Sequence, residues 1–526
     1  MSIQAAVNSL PLEGGRICVL AGTYAETVRI ERADVTIEGC GAQARLRTPT
    51  TGAGLAVVHV LAARVTIRDL GLATNGQIGV LAGQPDLDAE VVASDLVLDR
   101  LVIDADEREV VNGQARAGID IRNGRRVVIR DCEITLHGSV SDDSAMFVRG
   151  TDLRVEGCHI ETERTTDSFA AWGGIQVGGG TTQVEIRRNR IVGGVGHGVT
   201  LGSLEWIART TTTTRTQTFG AGTGLQNTQD PCAPVQEEVR PVEVENVRFD
   251  PETAGDLSDI TIVDNTIELM NGNGVSTLTT LPLADDGEQD LITVDRVAIE
   301  RNRITNCVVQ SRSLAANAPV QKTKKLQPGQ QDVFGQFLVS TIPPAGIALV
   351  DGEHITIRDN DIYDNGTTDP APICGVCVVF GNDILIEGNR IQNNGRRQPA
   401  SIPSMSTMRA GIAVSLAGVA SNQEQQNVAD PIGSSLRVIG NIVEHPNGPA
   451  LAARATGPLT VEDNYLLSLG NNATAQLAGT AHAVSLVDVG LPWEGIDLPE
   501  GEPSPDRWTF PPRTPEYLRR EPGGTQ

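Results

Sequence analysis

The chain consists largely of short runs in which apolar and polar residues alternate with a period of two. Examples are VTIEGC, VVIRDC and ITIRDN. This alternation is typical of half-buried β-strands, and the segments between the runs show no helical period. Twelve such runs end at one recurring register, which we call the ladder position. It is occupied by Cys40, Leu70, Leu101, Cys132, Cys158, Asn189, Asn265, Asn302, Asn360, Asn389, Asn441 and Asn464.

A second short strand precedes most of these runs, and a Gly-containing turn often follows them. The preceding strands are expected at 118–121, 146–148, 174–177, 199–201, 346–350, 375–379, 411–414 and 483–486, and the turns at 364–366, 393–395 and 446–448. Two or three strands in each 25–31 residues, without a helix, predict the coils of a parallel β-helix. A propeller needs repeats near 40 residues with four strands, and a sandwich would not keep one register through twelve copies.

The predicted fold class is therefore all-β, a right-handed parallel β-helix (solenoid) of at least ten coils. Ile3 to Leu10 can form a short N-terminal cap helix. We expect the β-helix with its cap to span 1–490, with insertions near 203–257, 307–343 and 395–434, and an irregular Pro-rich C-terminal tail at 491–526. The insertions either bind a ligand or shield the coils, because loops on a rigid solenoid do both.

Asparagine at the ladder position has a physical explanation. Coils stack about 4.8 Å apart, the distance between paired strands. An inward amide at a corner can accept a hydrogen bond from one coil and donate one to the next. The cysteines at this register are expected to be small buried side chains, with a Cys132–Cys158 disulfide as a lesser alternative. Cys374 and Cys377 should face opposite sides of a strand, which argues against a zinc or redox pair.

Charge and hydropathy limit the partners. The net charge is −24, which argues against nucleic acid and anionic membrane surfaces as partners. No run of 18 apolar residues is present, so no membrane span is expected. The first ten residues lack a Sec-type signal, which leaves the cytoplasm, export by another route or incorporation into a particle. Aromatic residues make up only 3%, which limits the surfaces on which sugars stack.

The repeat resembles the right-handed parallel β-helix proteins of the pectate-lyase-like superfamily. That group includes pectate lyases, polygalacturonases, epimerases and phage tailspikes. The resemblance covers about residues 10–490 and implies the fold strongly, but it implies function weakly because this scaffold carries many activities.

One motif, Gly196-His197-Gly198, resembles the Gly-His-Gly of polygalacturonases. That resemblance implies catalytic carboxylates near His197, with Asp142, Asp143 and Asp167 as candidates and Trp172 and Trp206 as sugar platforms. The chain departs from the family because Asp143 lies far upstream of His197, 197 − 143 = 54 residues, and the Arg-Ile-Lys motif is missing. His197 also occupies a recurring column, otherwise filled by Ala117, Ser144, Gly173, Asn273, Ala345, Cys374, Ala410 and His482.

A pectate-lyase interpretation would require calcium ligands and an arginine base. Arg116, Arg122 and Arg149 are candidate arginines, with Arg116 and Arg149 also candidate substrate-binding residues. No metal-ligand set stands out, so no cofactor is predicted, although calcium is possible. Two functions stay open. The first is a rigid β-helix module that binds a glycan or serves a larger extracellular or phage-tail-like assembly. The second is a polysaccharide lyase, hydrolase or epimerase acting near 142–206.

Overall fold

The structure is a computed structural model of the whole chain. It describes 2–49, 55–74, 76–83, 93–106, 118–137, 144–164, 169–219, 238–278, 292–309, 344–368, 373–395, 409–418, 435–455, 458–469, 474–479, 484–487 and 496–497. The expected insertions at 307–343 and 395–434 and the tail at 491–526 lie largely outside these residues.

The described strands form a parallel β-helix, as predicted. Each coil contributes to three strips of in-register parallel strands, which we name by their place relative to the ladder position. The ladder strip contains Gly15–Cys18, Val35–Arg47, Thr66–Ala73, Ala93–Ser94, Val97–Asp99, Ile119–Arg130, Met146–Glu156, Thr182–Arg187, Leu257–Val263, Thr293–Glu300, Asp351–Arg358, Cys374–Glu387, Leu436–Ile439, Leu459–Glu462 and Val484–Val487.

The other two strips lie on either side of the ladder strip in each coil. The following strip contains Gly22–Ala25, Val102–Asp106, Glu133–His137, His159–Thr162, Arg190–Gly194, Thr266–Met270, Arg303–Thr305, Asp361–Tyr363, Arg390–Gln392, Ile442–His445 and Tyr465–Ser468. The preceding strip contains Val28–Ile30, Ala56–Val60, Ile78–Ala82, Ile175–Val177, Val199–Leu201, Val275–Thr277, Ala345–Leu349, Ile412–Ala417, Leu451–Ala455, Ala475–Gly479 and Ile496–Asp497. The long strands that begin at Ile119, Met146 and Cys374 belong first to the preceding strip and then to the ladder strip.

The expected insertion at 203–257 forms an antiparallel hairpin. Strand Leu204–Phe219 pairs with Glu238–Thr253, in the register from Leu204↔Thr253 to Phe219↔Glu238. Its base joins the solenoid where Ala254 N–H donates to the Ser203 carbonyl at 3.0 Å. The hairpin therefore leaves directly from the end of the preceding-strip strand Val199–Leu201.

A short helix, Ile3–Ser9, covers the first coil as predicted. Ile3 and Val7 face the core, and the Ser2 hydroxyl accepts a hydrogen bond from Ala5 N–H. The Glu26 carboxylate accepts from the N–H groups of Ile3 and Gln4, at 2.8 and 3.0 Å. These contacts satisfy helix-terminal donors that would otherwise lack partners. In the described part of the chain, no helix is long and apolar enough to cross a membrane.

A glycine column opens the preceding strip. A Cβ on Gly274 would lie 2.3 Å from Ile304 Cγ2, and one on Gly346 would lie 2.4 Å from Ile362 Cγ2. The interior space beside each of these glycines is therefore filled by an isoleucine of the following strip. This packing explains why so many preceding strands begin with glycine.

The asparagine ladder is confirmed. Asn302 Oδ1 accepts from both the backbone N–H and the Nδ2 of Asn265, each at 3.0 Å. Its Nδ2 donates to Ile262 O at 2.8 Å and to Asn360 Oδ1 at 3.0 Å. The same pattern runs through buried asparagines on successive coils, namely Asn189, Asn265, Asn302, Asn360, Asn389, Asn441 and Asn464.

A second, shorter ladder lies within the predicted turns. Asn365 Oδ1 accepts from Cys307 N–H at 2.8 Å, and Asn365 Nδ2 donates to Asn394 Oδ1 at 2.8 Å. The glycines that follow, Gly366 and Gly395, have φ of 65° and 90°. At 364–366 and 393–395 the Asn-Gly sequence therefore supplies both a stacked amide and the predicted left-handed corner. The same prediction is wrong at 446–448, because Gly448 does not have a positive φ.

Among the cysteines at the ladder position, Cys132 and Cys158 are buried and free, as expected. The prediction for Cys40 is wrong, because its side chain is exposed. The strand Val35–Arg47 shifts register against its neighbour between Glu38 and Arg45. That irregularity displaces Cys40 from the interior column.

Two other expectations are corrected. The segment 483–486 was expected in the preceding strip, but Val484–Val487 pairs with Leu459–Glu462 of the ladder strip. Cys374 and Cys377 were expected to face opposite sides, yet both belong to one buried cluster with nearby alanines. Between the two cysteines, the consecutive residues Gly375 and Val376 both face the interior. The inward–outward alternation is therefore interrupted there, and Cys374 and Cys377 come to lie on the same side.

Charged side chains form columns on the outside. The Arg64 guanidinium bonds both carboxylate oxygens of Asp34 on the neighbouring coil at 2.7 Å, and both residues have φ near +60°. Arg100 makes the same contact with Asp69. The hydrogen bonds from these arginines lower the pKa of Asp34 and Asp69. Equivalent pairs are Asp95–Arg126, Asp259–Arg296 and Asp264–Arg301.

Candidate functional site

The candidate site predicted around residues 142–206 is described only in part. Asp142, Asp143, Asp167 and Arg116 lie outside the described residues. Trp206 lies on the hairpin strand Leu204–Phe219, where its register partner is Pro251. The catalytic roles of the three aspartates stay predictions.

His197 is a buried member of its column. Its side chain is 2% exposed, and Nδ1 accepts a hydrogen bond from Asn273 N–H at 2.9 Å. Asn273 Oδ1 in turn accepts from Ala345 N–H at 2.9 Å on the next coil. Burial lowers the pKa of His197 to about 3, so the ring is neutral at neutral pH. In this geometry His197 does what Asn273 does, which is to accept the N–H of the following coil.

Trp172 supports the His197 ring from one side. The two rings meet edge to face, with centroids 5.8 Å apart and planes at 90°. A Cβ on Gly196 would lie 2.0 Å from Trp172 Cε2, so the indole packs directly on the glycine backbone. The indole is 2% exposed and does not offer a surface to a sugar. The Gly-His-Gly motif is therefore explained by packing, since its first glycine admits the indole.

Arg149, the remaining predicted residue, leads to a different cluster on the outer face of the preceding strip. Ile119 and Ile121 face the core, so Asp120 and Arg122 between and after them face outward. Arg122 Nη2 lies 2.6 Å from Asp120 Oδ2, and the guanidinium lies 5.3 Å from the centroid of the Phe147 ring. Phe147 is the register partner of Asp120 on the next coil.

Arg149 extends this cluster by one coil. It follows Val148, the register partner of Ile121, at the point where the register between the two strands shifts. A Cβ on Gly178 would lie 2.9 Å from Arg149 Cβ, and one on Gly180 would lie 3.9 Å from Arg149 Nη2. The Arg149 side chain therefore extends over Gly178 and Gly180, which lie on the next coil. We call Asp120, Arg122, Phe147 and Arg149 the Arg122 cluster.

The same outward column continues with uncharged polar residues. Gln176 is the register partner of Phe147, and Thr200 is the partner of Gln176. Gln176 Nε2 donates to the Gly202 carbonyl at 2.9 Å, immediately before the hairpin. The column therefore connects the Arg122 cluster with the base of the hairpin.

Sequence reasoning identified Arg122 and Arg149 but missed Asp120, Phe147 and Gln176. The signal was present, because alternation in GIDIR puts Asp120 and Arg122 on one face. What was missing was the register that brings Phe147 and Gln176 beside them. Within the described residues the cluster has one carboxylate, Asp120, already paired with Arg122, which does not fit an all-oxygen calcium site.

Comparison with known proteins places the fold. A family model described as the right handed beta helix region matches residues 98–233 and 332–486, which together are more than half of the chain. The chain therefore belongs to this family. A search of curated proteins found no match.

The solved structures that match this chain are similar to it at low identity and low TM-score. They include a Geobacillus virus E2 protein, ORF18 (12% identity, TM-score 0.33, 58% of this chain), and the Dettilon tailspike protein (10%, TM-score 0.37, 92%). The A-module of the Azotobacter vinelandii mannuronan C-5 epimerase AlgE4 matches at 11% identity and TM-score 0.33, over 94% of both chains. The chain spans 54% of the first protein and 62% of the tailspike.

Proposed function

We propose that this right-handed β-helix protein is a rigid module that binds a glycan on the outer face of the preceding strip without cleaving it. The observation that carries the proposal is the Arg122 cluster. It places two arginines on neighbouring coils, with the Arg122 guanidinium held against Asp120 and against the buried Phe147 ring.

The cluster has the chemistry that sugar hydroxyls and carboxylates require. A guanidinium presents several N–H donors in a fixed plane. Asp120 and Phe147 hold Arg122 from two sides, so little conformational entropy remains to be lost when a ligand binds. Arg122 keeps 17% of its side chain exposed, and Arg149 is half-buried. The two arginines are therefore the members of the cluster that a ligand on the outer face can contact, because Asp120 and Phe147, like the neighbouring Gln176, are buried.

Rigidity supports the same function. The Asn ladder and the paired Asp–Arg columns fix the spacing of successive coils. An extended polymer with a regular repeat is matched by a surface whose groups recur at a fixed interval. The burial of His197, with its Nδ1 occupied, gives no support to cleavage at that position.

The test is a binding screen of the full chain against acidic and neutral polysaccharides, with and without calcium, followed by product analysis. We expect saturable binding to at least one polysaccharide and no release of shorter products. Arg122→Ala and Arg149→Ala should each weaken that binding about tenfold or more, equivalent to one lost charged hydrogen bond.

Arg187→Ala is the matched control. Arg187 is also a partly exposed arginine paired with carboxylates, Glu156 and Glu185, but it lies on the ladder strip. Its loss should leave glycan binding unchanged. Cleavage of any polysaccharide would overturn the non-enzymatic part of the proposal. An absence of binding throughout the panel, in a folded protein, would favour a purely structural role in an assembly.

A further inference from the structure

Two carboxylates on neighbouring coils face each other in register, away from the Arg122 cluster. Asp295 and Glu353 are partners of the parallel strands Thr293–Glu300 and Asp351–Arg358. At the other end of the same two strands the partners are Glu300 and Arg358, which form a 2.9 Å ion pair. Like charges directly opposite in a sheet repel each other, so a cation bound between Asp295 and Glu353 would stabilise the pair.

A histidine completes the group. His354 Nδ1 lies 2.9 Å from Asp295 Oδ1, and one ligand atom from each of Asp295, Glu353 and His354 lies within 4.8 Å of the others. His354 has φ of 51° and takes the column position that Arg296 occupies on the preceding coil. An imidazole here replaces a guanidinium, and unlike guanidinium it can coordinate a metal ion.

We propose that Asp295, Glu353 and His354 form a binding site for a divalent transition-metal ion of the zinc class. An imidazole with two carboxylates is a donor set that such ions accept, whereas calcium prefers oxygen alone. Bonds of about 2.0–2.1 Å in tetrahedral geometry put ligand atoms about 3.3 Å apart. The ligand atoms lie within 4.8 Å of one another, and His354 is exposed, so a metal ion can reach the group from solvent.

The neighbouring charges leave the site negative. Arg296 contacts Asp295, but its guanidinium also bonds both oxygens of Asp259 at 2.6 and 3.0 Å. Two further carboxylates lie at the start of the strand: Asp256 accepts from Thr293 N–H, and Asp351 accepts from the Thr293 hydroxyl. Arg296 is therefore shared between Asp295 and Asp259, and a bound dication would offset part of the remaining charge.

Another histidine shows what distinguishes this group. His137 Nε2 lies 3.0 Å from Asp104 Oδ1, and its Nδ1 lies 3.2 Å from Glu163 Oε2. Asp104 and Glu163 therefore contact different nitrogens of the His137 ring, and the imidazole lies between the two carboxylates. In the proposed metal site all three ligand atoms converge, and a single ion can contact them together.

The inference does not depend on glycan binding, and its test uses the metal alone. Zn²⁺ is titrated calorimetrically into the full chain after iodoacetamide alkylation, because Cys18 and Cys40 are exposed thiols. We expect one saturable site that is weakened at least about tenfold by His354→Ala and by Glu353→Gln, since even the loss of outer-shell partners has such an effect. Co²⁺ should give visible absorption bands that both variants lose.

His159→Ala is the control, because His159 is another solvent-accessible, half-buried histidine near a carboxylate, 4.0 Å from Glu161, outside the proposed site. It should bind Zn²⁺ as the unmodified sequence does. The proposal is overturned if no saturable binding occurs. It is equally overturned if His354→Ala and Glu353→Gln, both folded by circular dichroism, retain full affinity, or if His159→Ala weakens binding as much.

Discussion

Removing one amide from the middle of the Asn ladder should open the solenoid locally. Asn302→Ala deletes the acceptor that serves both the backbone N–H and the Nδ2 of Asn265. It also deletes the donor to Ile262 O and to Asn360 Oδ1. The Asn265 N–H then lies buried without a partner, because the ladder provided its acceptor in the interior.

The magnitude follows from these four hydrogen bonds. A buried donor left unsatisfied costs about 1–3 kcal/mol, and each other lost hydrogen bond costs about 0.5–1.5 kcal/mol. Asn360 Oδ1 still accepts from the backbone N–H of residue 302, and Asn265 Nδ2 still donates to Ile186 O, so two of the groups stay satisfied. We therefore expect a loss of about 2–5 kcal/mol in the local free energy of opening. At the lower limit the Asn265 amide should exchange with solvent about thirtyfold faster.

Hydrogen–deuterium exchange is the appropriate measurement, because in a repeat protein each coil contacts only its neighbours and one global unfolding value averages over them. Exchange should accelerate in the peptide containing Asn265 and in the adjoining coils. Asn8→Ala, at an exposed helical position, is the control and should leave these peptides unchanged. If Asn302→Ala leaves Asn265 as protected as before, the ladder does not stabilise the stack as argued.

Three further predictions test other parts of the fold. Arg301→Ala should lower the thermal midpoint slightly in low salt and not in 1 M salt, because the exposed pair with Asp264 is screened. His197 should titrate by NMR near pH 3. Because the pKa of His197 is lower in the folded than in the unfolded chain, the unfolded chain binds a proton first as the pH drops below about 6.5. The free energy of unfolding should therefore fall by up to about 1.4 kcal/mol per pH unit between about pH 6.5 and pH 3, which denaturant unfolding would measure. Gly274→Ala should destabilise its coil through the clash with Ile304 and be partly rescued by Ile304→Ala, as hydrogen exchange of that coil would show.

The solenoid could be predicted because its determinants are local and repeated. Each ladder strand carries its own alternation and its own ladder residue, so one coil is enough to read the pattern. The prediction was wrong where the backbone departs from the repeat. At Cys40 the register shifts, and at Cys374 the alternation changes phase at a corner. Such irregularities depend on packing between coils and leave no mark on alternation within one strand.

The candidate sites were harder to predict because they are formed between coils. Asp120 and Phe147 are 27 residues apart in sequence, 147 − 120, but lie opposite each other in the sheet. Asp295 and Glu353 are separated by an insertion, so their spacing in sequence does not reveal that they are partners. A periodic sequence predicts which face a side chain takes. Its neighbour on that face depends on the length of every intervening loop.

Stacking residues in register has one general consequence, which connects the ladders with the proposed sites. Identical charged groups brought about 4.8 Å apart repel each other, so an in-register solenoid needs a way to avoid this repulsion. In the interior the chain uses asparagine, whose uncharged amide both donates and accepts hydrogen bonds and can therefore stack on another asparagine. Outside, it alternates arginine with aspartate or glutamate, as at Glu300 and Arg358. Where like charges stand opposite each other on neighbouring coils instead, as at Asp295 and Glu353, a bound ion would relieve the repulsion. On this reasoning a departure from alternation points to a binding site more directly than the Gly-His-Gly motif does.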